Sequence, residues 1–326
     1  MYLEVNRRAR PSRSQWRLFK ALVSSFVIVT LLVAIPAQIR AQDQVPIRVD
    51  VSLVMLDATV KNKAGQIMGD LKKEDFEVRE DGTKQNIALF SRDELPLNVA
   101  LVVYLSDSIG PFFRALHDAS MATLSSLKPD DAVALFTFST RAELRTPLTK
   151  DKTAITDEFD TFRAGGATNI SDGIFIAAQY FLKEAPKGRR VIILISDDVS
   201  TLGGAHNTED LVTEATAADV SLYNLKIPGD NPSSIYRPII PGLMNIGKVV
   251  EQTGGEIFDV PNAAALNAVF QAMMQRIRTR YTLGYYTSAN GAEGKPHKLD
   301  VRLASSFGSK GRNYVILAKS GYYFIP

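Results

Sequence analysis

From residue 97 onward the chain alternates two rhythms, short continuous apolar runs and longer stretches with apolar residues at helical spacing. The runs are Val99–Leu105, Ala132–Phe138, Val191–Ile195, Ser221–Ile227 and a short Glu256–Phe258. Between them Pro111–Leu127, Lys150–Phe162, Ser171–Lys183, Glu209–Ala218, Leu243–Thr253 and Ala263–Arg278 read as helices. In the last of these, Leu266, Val269, Phe270, Met273 and Ile277 form one apolar stripe that faces a core. The alternation predicts an α/β, Rossmann-like unit over residues 97–279, a doubly wound, mostly parallel sheet with helices on both faces. Ligands of such sheets sit beyond the carboxyl ends of the strands, which directs attention to the loops after Leu105 and Ile195.

The flanking segments follow a period of two instead. Ile47–Asp57 alternates, Thr59–Lys61 continues it, and Asn62–Gly65 is a polar turn. Phe76–Arg79 and Asn86–Phe90 flank Asp81-Gly82, a strong hairpin signal. After residue 279, Tyr281–Thr287, His297–Leu303 and Asn313–Lys319 read as strands, with aromatic Gly321–Phe324 at the end. Residues 45–96 and 280–326 are thus two antiparallel β segments. They form either one split β domain with the α/β unit inserted in it, or two small units that each struggle to bury a core.

Ahead of these lies an arginine-rich start, the apolar run Ala21–Ala37 and polar QIRAQDQ, the order of an export signal. Residues 1–41 are read as a cleaved signal peptide or, alternatively, a retained signal anchor, since 17 apolar-run residues sit at the short edge of a spanning helix. The expected location is periplasmic, envelope or secreted. The leader also explains the charge. The formal net charge of the whole chain is +3, but residues 1–41 hold seven of the 38 basic residues and one of the 35 acidic ones, leaving −3 on the rest. A nucleic-acid partner is not expected for a mature protein of that balance.

Composition removes several chemistries. With no cysteine, disulfides, thiolate catalysis and Cys-ligated zinc are excluded. The three histidines, His117, His206 and His297, are dispersed and lack zinc-site spacing. No Gly-x-Ser-x-Gly elbow and no phosphate-binding Gly-x₄-Gly-Lys-Ser/Thr loop is present, so hydrolase and NTPase readings lack their equipment and no enzymatic activity is expected. Tyr281, Tyr285, Tyr286, Tyr314, Tyr322 and Tyr323 are compatible with a contact face, although strands favour tyrosine in any case.

The strand-end loops carry the remaining signal. Val99–Ser108, Gly165–Asp172 and Val191–Asp198 resemble, in order and placement, the three signature segments of the von Willebrand factor type A domain. In that family a strand ends in Asp-x-Ser-x-Ser, a later loop supplies a threonine, and another strand ends in an aspartate, together making a metal-ion-dependent adhesion site. Here the matching residues are Ser106, Ser108, Thr168 and Asp197, while the first aspartate is replaced by Tyr104. Starting the motif at Asp107 instead would demand serines at Ile109 and Pro111. The flanks, VDVSLVMLDATVKNKAGQIMGDLKKEDFEVREDG and RYTLGYY with SGYYF, look like the VWFA-related acidobacterial family of exported proteins.

The resemblance implies Mg²⁺ or Mn²⁺ held by those hydroxyls, and a protein partner that offers an acidic side chain to the ion. Asp107, Asn169 and Asp198, beside the ligand positions, are the candidate partner contacts. Such an ion wants about six oxygens at roughly 2.1 Å. Tyr104 removes a charge and adds bulk where the ion's water belongs, so weaker metal affinity is expected. In the alternative, Ser106, Ser108 and Thr168 bond loop backbone instead. Asp197, Asp198 and Asp172 remain as sources of negative charge, Asp172 being also a candidate helix cap. Two functions follow: an exported, non-catalytic protein-binding module that uses the loop face, or a structural or assembly component of the cell envelope that binds through its β segments.

Overall fold

The computed structural model describes residues 53–92, 95–105, 107–125, 127–186, 188–200, 202, 204–228, 244–287 and 296–323. The leader, the start of the first expected strand, Ser106 and Phe324 lie outside the described residues, as do the side chains of Asp107, Ser108 and Tyr323.

The α/β unit is built on β5 (Leu97–Tyr104), β6 (Ala132–Phe138), β7 (Ala142–Thr149), β8 (Arg189–Ser196), β9 (Val220–Lys226) and β10 (Ile257–Asp259). Their order across the sheet is β10-β9-β8-β5-β6-β7, parallel throughout except for β7, which runs antiparallel to β6. Every residue of β5 and β6 is buried, as the continuous apolar runs require when helices cover both faces. The helices are α1 (Phe113–Ser125), α2 (Lys152–Phe159), α3 (Ile170–Glu184), α4 (Thr208–Ala217), α5 (Ile246–Gln252) and α6 (Leu266–Arg278). α1 packs on α2 and α6, and α4 on α3 and α5. The chain proceeds outward from β5 to β6 and then returns to β8 on the other side, so the direction of winding reverses between β5 and β8. The crevice favoured for ligands therefore lies between the loops that follow these two strands.

Several boundaries differ from the sequence reading for local reasons. The helix expected from Lys150 begins at Lys152 because the Asp151 side chain accepts from Thr153 N and Ala154 N. The one expected from Pro111 opens instead as a 3₁₀ turn, Asp107–Phe112, and becomes α-helical only at Phe113. Strand β7 adds an element the hydrophobic pattern does not announce. Its side chains are largely exposed and it contains Pro147, which an edge strand tolerates.

Two four-stranded antiparallel sheets face each other beside this unit. One has the order β13-β1-β11-β4, from β1 (Leu53–Asn62), β4 (Ile87–Arg92), β11 (Tyr281–Tyr286) and β13 (Tyr314–Ala318). The other is β14-β12-β2-β3, from β2 (Phe76–Glu80), β3 (Thr83–Gln85), β12 (Pro296–Leu303) and β14 (Gly321–Tyr323). Their shared core includes Leu56, Val60, Phe76, Val78, Leu283 and Leu299. Asp81 and Gly82 both have positive φ, 48° and 83°, and make the tight hairpin turn their pairing suggests. The strand that returns from that turn is Thr83–Gln85, however, and not Asn86–Phe90. Ile87–Arg92 crosses to the opposite sheet and pairs with β11. There Phe90 stacks on Tyr281, with ring centroids 5.7 Å apart, and both rings lie against Phe76.

Buried ion pairs join the sandwich to the α/β unit. Asp57 on β1 accepts from Arg189 Nε on β8 at 3.0 Å and from Thr282 Oγ1 at 2.8 Å. Arg280 runs beside it to Ser221 Oγ and Gly254 O. Glu256 is held by Lys61 from β1 and by Arg276 from α6. Within the α/β unit, Asp131 accepts from Leu97 N and Lys128 N and is paired with Arg278 at the end of α6.

Candidate functional site

The loops beyond β5, β6 and β8 are braced to one another by their backbones. Leu105 N donates to Phe138 O, and Gly165 N to Leu105 O, each at 2.9 Å. Asn169 N donates to Ser139 O and Leu202 N to Thr168 O, again at 2.9 Å. Gly166, at φ 93°, lies so close to the 139–140 turn that an added Cβ would stand 3.1 Å from Thr140 Oγ1 and 3.3 Å from Ser139 Oγ. Both its conformation and its surroundings call for glycine. These bonds fix the relative positions of loops that are far apart in sequence.

Thr168 sits inside this frame, 1% exposed, and its hydroxyl donates to the phenol oxygen of Tyr104 at 2.7 Å. Tyr104, the last residue of β5, is 3% exposed and packs on Phe138 with ring centroids 5.5 Å apart. Two residues on from Thr168, helix α3 begins. Its cap is Asn169, whose Oδ1 accepts from Asp172 N at 3.3 Å and from Ser171 Oγ at 3.0 Å. Asp172 is thus the third residue of the helix and not its cap; its Oδ2 accepts from Asn169 Nδ2 at 2.7 Å. In the first turn its charge complements the helix dipole.

The two aspartates after β8 face different ways. Asp197 is buried, and its Oδ1 accepts from Val199 N at 3.0 Å. Asp198, at φ 60°, turns toward the end of β9. Its Oδ1 accepts from Ser196 Oγ at 3.0 Å and Asn224 Nδ2 at 2.7 Å, with Lys226 Nζ 3.8 Å from Oδ2. Asn224 and Lys226 were not visible as site residues in the sequence, where nothing marks which strand Asp198 leans on. The same holds for His206, which stacks on Phe175 at 3.5 Å between centroids and pins the loop after β8 onto α3.

Of the residues expected to meet here, the described ones that do so are Tyr104, Thr168 and Asn169, with Asp197 and Asp198 on the neighbouring loop. They do not fit a hard divalent cation. The Thr168 hydroxyl is directed at a phenol, Asp197 is turned to a backbone N–H, and Asp198 is drawn toward Asn224 and Lys226. Among the described residues no group of three His, Cys, Asp or Glu side chains is placed to hold a metal ion.

Residues 99–200 match the family model of the von Willebrand factor type A domain. The α/β unit is a von Willebrand factor type A domain. Domains of this family mediate protein–protein contacts and often carry a metal at these loops. Among solved structures, a von Willebrand factor type A protein from Catenulispora acidiphila is 10% identical, over 84% of this chain and 75% of that one, with a TM-score of 0.46. An aerotolerance-related membrane protein from Bacteroides fragilis is 18% identical over 56% of this chain and 98% of its own, at 0.42. The vWF domain of the type V pili tip protein Mfa5 from Porphyromonas gingivalis is 12% identical over 56% and 95%, at 0.39. No curated protein matches the sequence. Among the described residues no helix is long and apolar enough to cross a membrane.

Proposed function

We propose that the chain is an exported, non-catalytic adhesion or assembly module whose von Willebrand factor type A domain holds a protein partner on the loop face beyond β5, β6 and β8. The observation that carries this reading is the bracing of those loops. A surface already held in one arrangement loses little entropy on docking, so more of the contact energy is kept as affinity. Its rim offers Thr140, Arg141, Arg163 and Leu202 as exposed side chains. The two arginines supply the positive charge for an acidic partner residue, which in this domain family would otherwise meet a metal.

A second reading rests on a different surface. On the outer face of the β1–β11–β4 ladder, Leu53, Leu89 and Tyr286 are 43%, 37% and 56% exposed around Gly284. Contiguous exposed apolar groups of this kind mark contact surfaces. They favour an envelope component that assembles through its β sandwich.

Photo-reactive residues placed singly at Thr140, Arg163, Leu89 and Tyr286 of the full chain in its host cells separate the two. Adducts from Thr140 and Arg163 alone support the loop face, and adducts from Leu89 and Tyr286 alone transfer the function to the sandwich. Charge reversal by Arg141→Glu with Arg163→Glu should weaken the loop-face adducts. Unchanged yield would remove the arginines from the contact.

A further inference from the structure

We propose that Tyr104 is a built-in occupant of the cation position, so that the loop face is closed to divalent metal and a single substitution at Tyr104 opens it. The inference stands whether or not the loop face is the docking surface. Where the proposed function also holds, it makes partner binding there insensitive to chelators.

Three features of the site lead to it. The first is the hydrogen bond itself. A threonine ligand must turn its oxygen to the ion, whereas the Thr168 hydroxyl is bonded to the Tyr104 phenol oxygen 2.7 Å away. An ion about 2.1 Å from Thr168 Oγ1 in that direction would lie within about 1 Å of the phenol oxygen, far inside any coordination distance. The second is confinement. The ring is 3% exposed and lies against Phe138, so it does not swing aside without unpacking the end of β5. The third is charge. The phenol replaces a carboxylate, and the nearest anionic groups after β8 are engaged, Asp197 with Val199 N and Asp198 with Ser196, Asn224 and Lys226. A hard cation must leave its water for ligands that repay the dehydration, and a bulky neutral phenol repays less of it than a carboxylate or a small hydroxyl in its place.

Free Mn²⁺ gives a paramagnetic resonance signal that is lost on binding. The full chain in detergent micelles is therefore titrated with Mn²⁺ up to about 1 mM, the weak end of protein sites for hard divalent ions. Thermal melting of each variant shows whether it folds. The wild type and Thr168→Ala should leave the signal unchanged. Tyr104→Asp should produce a saturable loss that disappears in Tyr104→Asp/Thr168→Ala. Tyr104→Ser, smaller and uncharged, is the second variant should the buried aspartate prevent folding, and it should bind more weakly than Tyr104→Asp but above the wild type. Saturable binding by the wild type that Thr168→Ala abolishes overturns the proposal, and this arm needs no Tyr104 variant to fold. Folded Tyr104→Asp and Tyr104→Ser proteins that both ignore Mn²⁺ overturn it equally. Because the probe is the metal alone, either failure leaves the partner-binding reading to its own experiment.

Discussion

Replacing Asp57 by Asn tests how the β sandwich is held to the von Willebrand factor type A domain. Asp57 lies on β1, yet its carboxylate is bonded by Arg189 Nε of β8 at 3.0 Å and by Thr282 Oγ1 at 2.8 Å. The Arg189 side chain is 3% exposed and that of Asp57 19%. Arg280 is 2% exposed and is oriented over the Tyr223 ring. Removing the negative charge leaves two buried guanidinium groups facing a neutral amide. Breaking a buried pair from one side costs about 3–5 kcal/mol. Asn keeps one acceptor oxygen and most of the shape, which places the expected loss near the lower end, about 3 kcal/mol. In a chain of 326 residues that corresponds to a fall in Tm of roughly 4–5 °C.

The pH dependence supplies an independent check. Burial pushes the Asp57 carboxyl up, but Arg189 and Arg280, with the Thr282 hydroxyl, outweigh it and hold the group below the ordinary 3.8. A carboxyl depressed in the folded state stabilises above its unfolded value and loses that contribution as pH falls through its folded one. The gap between wild type and Asp57→Asn should therefore be full at pH 7 and narrow only below about pH 4. Urea unfolding at pH 7 and pH 3.5 measures both. A pH 7 difference under about 1 kcal/mol, in the range of an exposed pair, would refute the claim that this contact carries the junction. So would a gap that stays constant with pH. The double variant Asp57→Asn/Arg189→Met should recover part of the loss, since only Arg280 then faces the amide.

Three further outcomes are expected. Tyr104→Phe keeps the ring on Phe138 but removes the acceptor for Thr168, and should lower stability by about 1–2 kcal/mol in thermal melting; no loss would mean the 2.7 Å bond is not formed in solution. Tyr322 donates to buried Glu80, and burial followed by that bond pushes its phenol up to about 12. Raised from 10.0, it stabilises the fold below pH 10 and loses that contribution as pH rises through 12, so absorbance at alkaline pH should show it ionising well after the exposed tyrosines, and ionisation near pH 10 would contradict this. Gly255→Ala would place a Cβ 1.7 Å from Leu222 O, a backbone atom that cannot step aside. The β9–β10 junction should shift at a cost of about 1–3 kcal/mol or more, and a melt identical to wild type would refute the close approach.

The α/β layer was legible because its strands are buried on both faces. Runs such as Ala132–Phe138 are apolar without interruption and leave one reading, and the strand has those very bounds. The same reasoning explains the blind spot at β7. Ala142–Thr149 pairs only with β6, buries little of itself and carries Pro147, so no apolar period marks it. Asp81-Gly82 announced a turn because positive φ is a local matter. Which strand returns from it is decided elsewhere, by the packing of Phe90 on Tyr281 and Phe76.

The site divides along the same line. A tyrosine at the end of β5 is visible in the sequence as a missing carboxylate, and from that alone it reads as a loss. What its hydroxyl does depends on Thr168, 64 residues away, and on loops aligned by bonds from Gly165 to Leu105 and from Asn169 to Ser139. Once they are aligned, the phenol stands beside the threonine hydroxyl, accepts its hydrogen and fills the space with a ring already seated on Phe138. A hydrogen bond of this kind between buried groups is worth about 0.5–1.5 kcal/mol. Alanine there would open a polar hole, while tyrosine supplies both the hydrogen-bond partner and the volume. The departure from the family pattern is thus a substitution that leaves the loops braced, with a phenol bonded to the Thr168 hydroxyl.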